Sequence, residues 1–229
     1  RKRNRLGTIY LGEMPEEKQT TMTERLTRVI HGVLDHDASK LLRLRYVTDA
    51  GSTPRGYFDN VLCPMKHPRT GQPLIWSWGV DFFHACEYLN LLANSLYGTG
   101  TAESQAWFKQ HRHTLRHDPD AVRKILSRAA QIRRRHQLEG TADDYERARG
   151  YLDRHRSHMD YATRRQAGDP IGSGITEAGC KVIFNQRMKQ SGMRWTKRGG
   201  QKIVDLRTAC RSKLWNRIWS RGLDDYTTL

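Results

Sequence analysis

LLRLRYVTDAG, residues 41–51, decides the fold. Leu42, Leu44 and Tyr46 alternate with Arg43 and Arg45, the period of two that places alternate side chains on opposite faces of a strand. Val47 and Thr48 carry the run to Asp49, and Ala50-Gly51 end it. The reading is a strand that terminates on a carboxylate. Thr53 and Pro54 then suit the cap and first position of a short helix bearing Tyr57, Phe58, Val61 and Leu62. Residues 74–81, LIWSWGVD, repeat the pattern: Leu74, Trp76, Trp78 and Val80 alternate, and Asp81 closes the run. A helix to about residue 97 follows, with Ala85, Tyr88, Leu89, Leu92 and Leu96 on one face. Upstream, RLGTIYLG at 5–12 predicts a strand with Ile9 and Leu11 on one side. A helix over roughly 20–35 carries the stripe Leu26, Val29, Ile30, Val33 and Leu34. Strands alternating with helices predict a mixed α/β fold with parallel strands and crossover helices.

The remainder is helical by pattern. Residues 61–73 are rich in proline and glycine and predict a loop. Residues 101–166 predict helices throughout. Asp118-Pro119 opens one with Val122, Ile125, Leu126, Ala129 and Ile132. Thr141 followed by Asp144 opens another with Tyr145, Ala148, Leu152 and Met159. A helix from Gly174 follows, then a loop around Ser191-Gly192 and a break at Gly199-Gly200. The last helix carries Ile203, Leu206, Cys210, Leu214 and Ile218.

The 229 residues suit one large domain, or a domain with an insertion. No apolar run approaches the ~18 residues of a membrane span, so a membrane is not an expected partner. The four cysteines, Cys63, Cys86, Cys180 and Cys210, are scattered without a CxxC, which predicts a reduced, cytoplasmic protein. Cys63 with His67, and His84 with Cys86, match no standard zinc spacing. The net charge is +16, and it is uneven. Residues 181–221 hold 12 Lys and Arg against one acid, Asp205, while residues 101–166 hold 15 against 9. A field of that sign and placement points first to nucleic acid, ahead of an acidic protein or a membrane surface.

Three acids invite attention, and each has a structural explanation. Asp49 at a strand end either caps the next turn or faces a ligand, since sites in open α/β sheets form at carboxyl ends. Asp81 is explained as the cap of the helix after it, and His84 as a packed or surface histidine. Glu177, with Gly174 as cap, sits in a first helical turn, favoured by the helix dipole and facing Lys181 four residues on. Carboxylates on separate elements are also what two divalent ions need to act on a phosphodiester. Mg²⁺ prefers a few carboxylates and keeps its waters. A neighbouring basic surface would clamp the backbone.

These residues carry a resemblance. PIGSGITEAGCK (170–181), RMKQSGMRW (187–195) and GGQKIVDLR (199–207) are similar to the C-terminal signature of bacterial insertion-sequence transposases of the ISKra type. YVTDAG (46–51) and VDFFHACEYL (80–89) resemble their central motifs. The resemblance implies a DDE enzyme, related to Mutator-type transposases, with an RNase H-like core. It implies that Asp49 is the second acid, at the end of the fourth core strand, and Glu177 the third, on a late helix. Gly172 and Gly174 then let the chain turn tightly into that helix. Asp81 and His84 resemble the C/D-x-x-H motif that follows the second acid. Residues 1–100 would be the core portion, 101–166 an all-helical insertion, and 167–229 the last catalytic helix with a basic DNA-contacting segment. Lys189, Arg194, Lys197 and Arg198, with Trp195 among them, would touch DNA. Mg²⁺ or Mn²⁺ would be the cofactor, transposon ends and target DNA the partners, a homo-oligomer the full-length state, and the bacterial nucleoid the location. The family's first acid lies on the first core strand, yet no Asp precedes residue 35, and Asp35 and Asp37 match nothing. The expectation is therefore a core incomplete at its N-terminus, without the first acid or a site-specific DNA-binding domain. The alternative is a transposase remnant that binds nucleic acid without chemistry.

Overall fold

The computed structural model describes residues 7–36, 43–136, 142–216 and 218–220. It is a mixed structure, about 67% helical, with a two-stranded parallel sheet. Helix α1 is Thr20–His36, strand β1 is Leu44–Thr48, and helix α2 is Ser52–Tyr57, prolonged by a π turn over Phe58–Leu62. Strand β2 is Trp76–Val80. Helices α3 (Phe82–Tyr97), α4 (Ala102–His117), α5 (Ala121–His136), α6 (Ala142–Arg154) and α7 (Tyr161–Gln166) follow, with a 3₁₀ turn at Arg156–His158. Helix α8 (Gly174–Cys180) runs through a π turn at Lys181–Asn185 into α9 (Gln186–Met188), and α10 is Lys197–Arg211. Among the described residues no helix is long and apolar enough to cross a membrane.

The chain divides into two compact units. The sheet unit comprises Leu41–Lys66 and Gln72–Ser173, and the second unit Arg1–Lys40, His67–Gly71 and Gly174–Leu229. In the sheet unit, β1 and β2 pair in parallel from Leu44↔Trp76 to Thr48↔Val80. Both expected strands are therefore present, joined by a helical crossover as parallel strands require. Residues 41 and 42 of the first expected strand lie outside the described residues. Helix α2 starts at Ser52 with Gly51 in the cap position, two residues before the expected Thr53 cap. In the expected loop, Lys66 and Pro73 form an antiparallel bridge.

One core runs from Val80 to Tyr161. Its residues recur at helical spacing: Ala85, Leu89 and Leu92 on α3, Ile125, Ala129 and Ile132 on α5, and Tyr145, Ala148 and Leu152 on α6. Cys86 is buried in this core, whereas Cys63, Cys180 and Cys210 are exposed thiols. Thr141, the expected opener of α6, lies outside the described residues.

The second unit corrects two expectations. Residues 7–12 form no strand. The Tyr10 N–H donates to Ser212 Oγ (2.8 Å), and the Gly12 carbonyl accepts from Gln201 Nε2 (3.2 Å). Backbone groups that a ladder would need are instead taken by side chains of α10 and its cap. Residues 5 and 6 lie outside the described residues. Gly199-Gly200 do not break the chain but lie in the first turns of α10. Thr196 closes that end: its Oγ1 accepts from the Gly199 N–H (3.0 Å) and its carbonyl from the Gly200 N–H (2.8 Å). The cap offsets part of the helix cost of two glycines, and Gly200 leaves room for Met14, whose Cε would stand 2.7 Å from a Cβ there.

Candidate functional site

The Asp81 N–H donates to the Thr48 carbonyl (2.7 Å), which extends the sheet by one bond past β1. Asp49 and Asp81 thus follow adjacent parallel strands at the same, carboxyl, end. Asp81 is 2% exposed. Its Oδ1 accepts from the backbone N–H groups of Phe83 (2.7 Å) and His84 (3.1 Å), making it the cap of α3 that its spacing predicts. Its Oδ2 accepts from the Ser173 N–H. Burial works to raise the Asp81 pKa, but hydrogen bonds from Ser173, His84 and Phe83 outweigh it and hold the group below the usual carboxylate range. The Phe82 N–H donates to the Ile171 carbonyl (2.8 Å), so residues 171–173 are stitched to the end of β2. Gly172 permits this approach: a Cβ there would stand 3.2 Å from the Phe83 ring and 3.6 Å from Asp81 Oδ2. Close packing, not a left-handed turn, is the reason for that glycine. A Cβ on Gly174 would meet nothing within 4 Å.

Asp49 is exposed. Its Oδ1 accepts from the Gly51 N–H (3.0 Å), and among the described residues its Oδ2 has no donor. Ala50 follows with a left-handed φ of 63°, its N–H on Thr48 Oγ1 (3.2 Å). A non-glycine residue held there is mildly strained, a state that clusters at functional turns. The Tyr151 hydroxyl of α6 donates to the Asp49 carbonyl (2.9 Å). Tyr151 stacks flat on Tyr88 of α3 at 3.6 Å between ring centroids. Burial, then Tyr88, Asp49 and Asp81, push its hydroxyl well above the ordinary tyrosine pKa, so it remains a donor. His84 meets both tyrosine rings edge-on, and its Nδ1 lies 2.9 Å from Glu87 Oε2. Nothing local in the sequence marks Tyr151, which stands 102 positions from its partner.

Glu177 belongs to the second unit and is exposed. Gly174 is already helical, so Glu177 is the fourth residue of α8, one later than a Gly174 cap implies. The expected pair with Lys181 does not form: a π turn begins at Lys181, and its wider winding spoils the four-residue register. Among the described residues, no three or more His, Cys, Asp and Glu side chains converge into a metal-holding group. The oxygen chemistry of Asp49 suits a hard cation, with one oxygen uncommitted by the fold. Asp81 does not suit one, because both its oxygens are spent on backbone N–H groups.

In the second unit Lys189, Arg194, Lys197 and Arg198 are exposed, and Trp195 is half-buried. Arg187 lies over the Trp195 ring at 5.9 Å, and the Trp195 indole N–H is buried without a partner among the described residues. Lys197 and Arg198 occupy the first turn of α10, which holds no acid. Cations at the positive end of a helix dipole intensify a local field that attracts anions. Comparison with known proteins finds no matching family model, no matching curated protein and no matching solved structure.

Proposed function

We propose that this protein acts as a DDE transposase of the ISKra type, cleaving DNA and joining the freed 3′-hydroxyl to target DNA. The carrying observation is Asp49: exposed, at a parallel strand's carboxyl end, with one oxygen the fold does not use. Asp81 next to it is consumed by structure, as a residue that shapes the strand end rather than the chemistry. A parallel pair with a helical crossover and a following helical block is compatible with an RNase H-like core. In this reading Asp49 and Glu177 would hold Mg²⁺ or Mn²⁺. Such ions, when bound, activate the attacking hydroxyl and stabilise the leaving oxygen.

The chain's own residues position and bind. Tyr151 and Gly51 fix the turn that presents Asp49. Lys189, Arg194, Lys197 and Arg198 take DNA phosphates, with transposon ends and target DNA as partners and a homo-oligomer as the working state. The test is DNA joining by the gene's full-length product in Mg²⁺. Glu177→Gln keeps shape and loses charge, so joining is abolished while duplex affinity, and its fall with salt, stay as in the wild type. Joining that survives the change would return Glu177 to an ordinary first-turn residue, and no joining by the wild type would leave a DNA-binding module without chemistry.

A further inference from the structure

The sheet unit holds a cleft of about 500 Å³, within the range of small-ligand sites. It is lined on one side by aromatic rings, Phe58, Trp76 and Trp78 with His158, and also by two guanidinium groups, Arg45 and Arg164. Trp76 and Trp78 share a face of β2 by the strand's period of two. Trp78 is 3% exposed and forms the floor, with His158 at 4.3 Å and Phe58 at 5.7 Å between ring centroids. Its indole N–H is satisfied by Thr48 Oγ1 (3.0 Å). The Trp76 indole N–H is buried and has no partner among the described residues.

Two carboxylates, Asp160 and Asp169, line the cleft along with the two guanidinium groups, and both are engaged. Arg45 is paired with Asp169 (2.7 Å), and Asp160 is spent accepting the Thr163 N–H at the start of α7 (3.0 Å). Arg164 is half-buried and donates to the Ser77 hydroxyl (3.2 Å) and the Trp78 carbonyl. Gly79 makes room for it, since a Cβ at 79 would collide with the guanidinium. Among the described residues no carboxylate lies within ion-pairing distance of Arg164. Burial, and then the charge of Arg45, press its pKa below the ordinary arginine value, against the opposing influence of Tyr161, Asp169 and Asp160. A half-buried guanidinium with no carboxylate in direct contact gains from an anion that hydrogen-bonds it directly.

A wall of rings beside a guanidinium that no carboxylate among the described residues touches suits a planar heterocycle that carries a phosphate. We propose that this cleft takes one unstacked nucleotide of single-stranded DNA, its phosphate on Arg164 and Arg45 and its base against the aromatic wall. Stacking on aromatic rings with arginine support is how single strands are held without sequence readout. The site needs neither Asp49 nor Glu177 and stands apart from any strand-transfer chemistry.

The experiment is binding of fluorescein-labelled pentathymidylate to the whole chain, read by anisotropy in EDTA. Trp76→Leu and Arg164→Met each weaken binding about tenfold, the scale of one lost stacking or phosphate contact. An unlabelled abasic pentamer competes about tenfold less well than pentathymidylate. Binding holds in EDTA, where no metal-dependent strand transfer can run, which separates this site from the catalytic reading. Thermal melting checks that each variant folds. Should Arg164→Met not fold, His158→Ala tests the same wall and weakens binding likewise. Unchanged affinity in the folded cleft variants, or equal competition by the abasic pentamer, overturns the proposal.

Discussion

Asp49 and Asp81 each follow a parallel strand, one residue beyond the register pair Thr48↔Val80. Asp81 is 2% exposed and holds three backbone N–H groups, from Phe83, His84 and Ser173. Asp49 is exposed and holds one, from Gly51. The same residue type at the same end of the same sheet is thus structural in one strand and available in the other. What separates them is the chain around each. The helix after Asp81 starts at once and needs a cap, and residues 171–173 return to bury it. After Asp49 a left-handed Ala50 turns the backbone and leaves the carboxylate in solvent.

That contrast is open to breakage by mutation. Asp81→Ala should cost the most stability, about 2–4 kcal/mol, because it strands buried donors as well as removing charged hydrogen bonds. Urea unfolding measures this, and a loss below about 1 kcal/mol would remove the structural assignment. Acid should reveal the same group. A folded pKa depressed below the unfolded value of about 3.9 means that the Asp81 contribution is complete above that pH and disappears as pH falls through the folded pKa. Asp81→Asn should therefore lose part of the wild-type stability above pH 4 and show a shallower decline below it. Tyr151→Phe should cost about 1 kcal/mol, one neutral hydrogen bond, and speed amide exchange at Ala50 and Gly51 more than elsewhere. Asp49→Asn should be the smallest, within about 0.5 kcal/mol, as for an exposed surface change. A larger loss would make Asp49 a structural cap like its neighbour.

The strand ends were legible because alternation survives in so short a run. Leu44 to Thr48 and Trp76 to Val80 form strands where the pattern places them. Asp81 was legible as a cap because capping is a local matter of two or three residues. Ile9 and Leu11 alternate as convincingly, yet residues 7–12 are held by Gln201 and Ser212, some 200 positions away. Alternation records an extended chain with two faces and does not record what satisfies its backbone. Tyr151 and Ser173 stayed hidden for the same reason: their partners, Asp49 and Asp81, are distant in sequence. The cleft was half visible, since the period of Trp76 and Trp78 shows a shared aromatic face but not the Arg164 that enters beside it.

The central claim of the proposed function is that the strand-end carboxylate a catalytic metal would use is Asp49, not Asp81, with Glu177 as a further ligand. Fe²⁺ substituted for Mg²⁺ in the gene's full-length product, with ascorbate and peroxide, cuts the backbone wherever the ion sits. Mass spectrometry should find cuts around Asp49 and around Glu177 together, suppressed by excess Mg²⁺ and lost at both places in Asp49→Asn and in Glu177→Gln. Cuts that centre elsewhere, or that persist around Glu177 after Asp49→Asn, would contradict it.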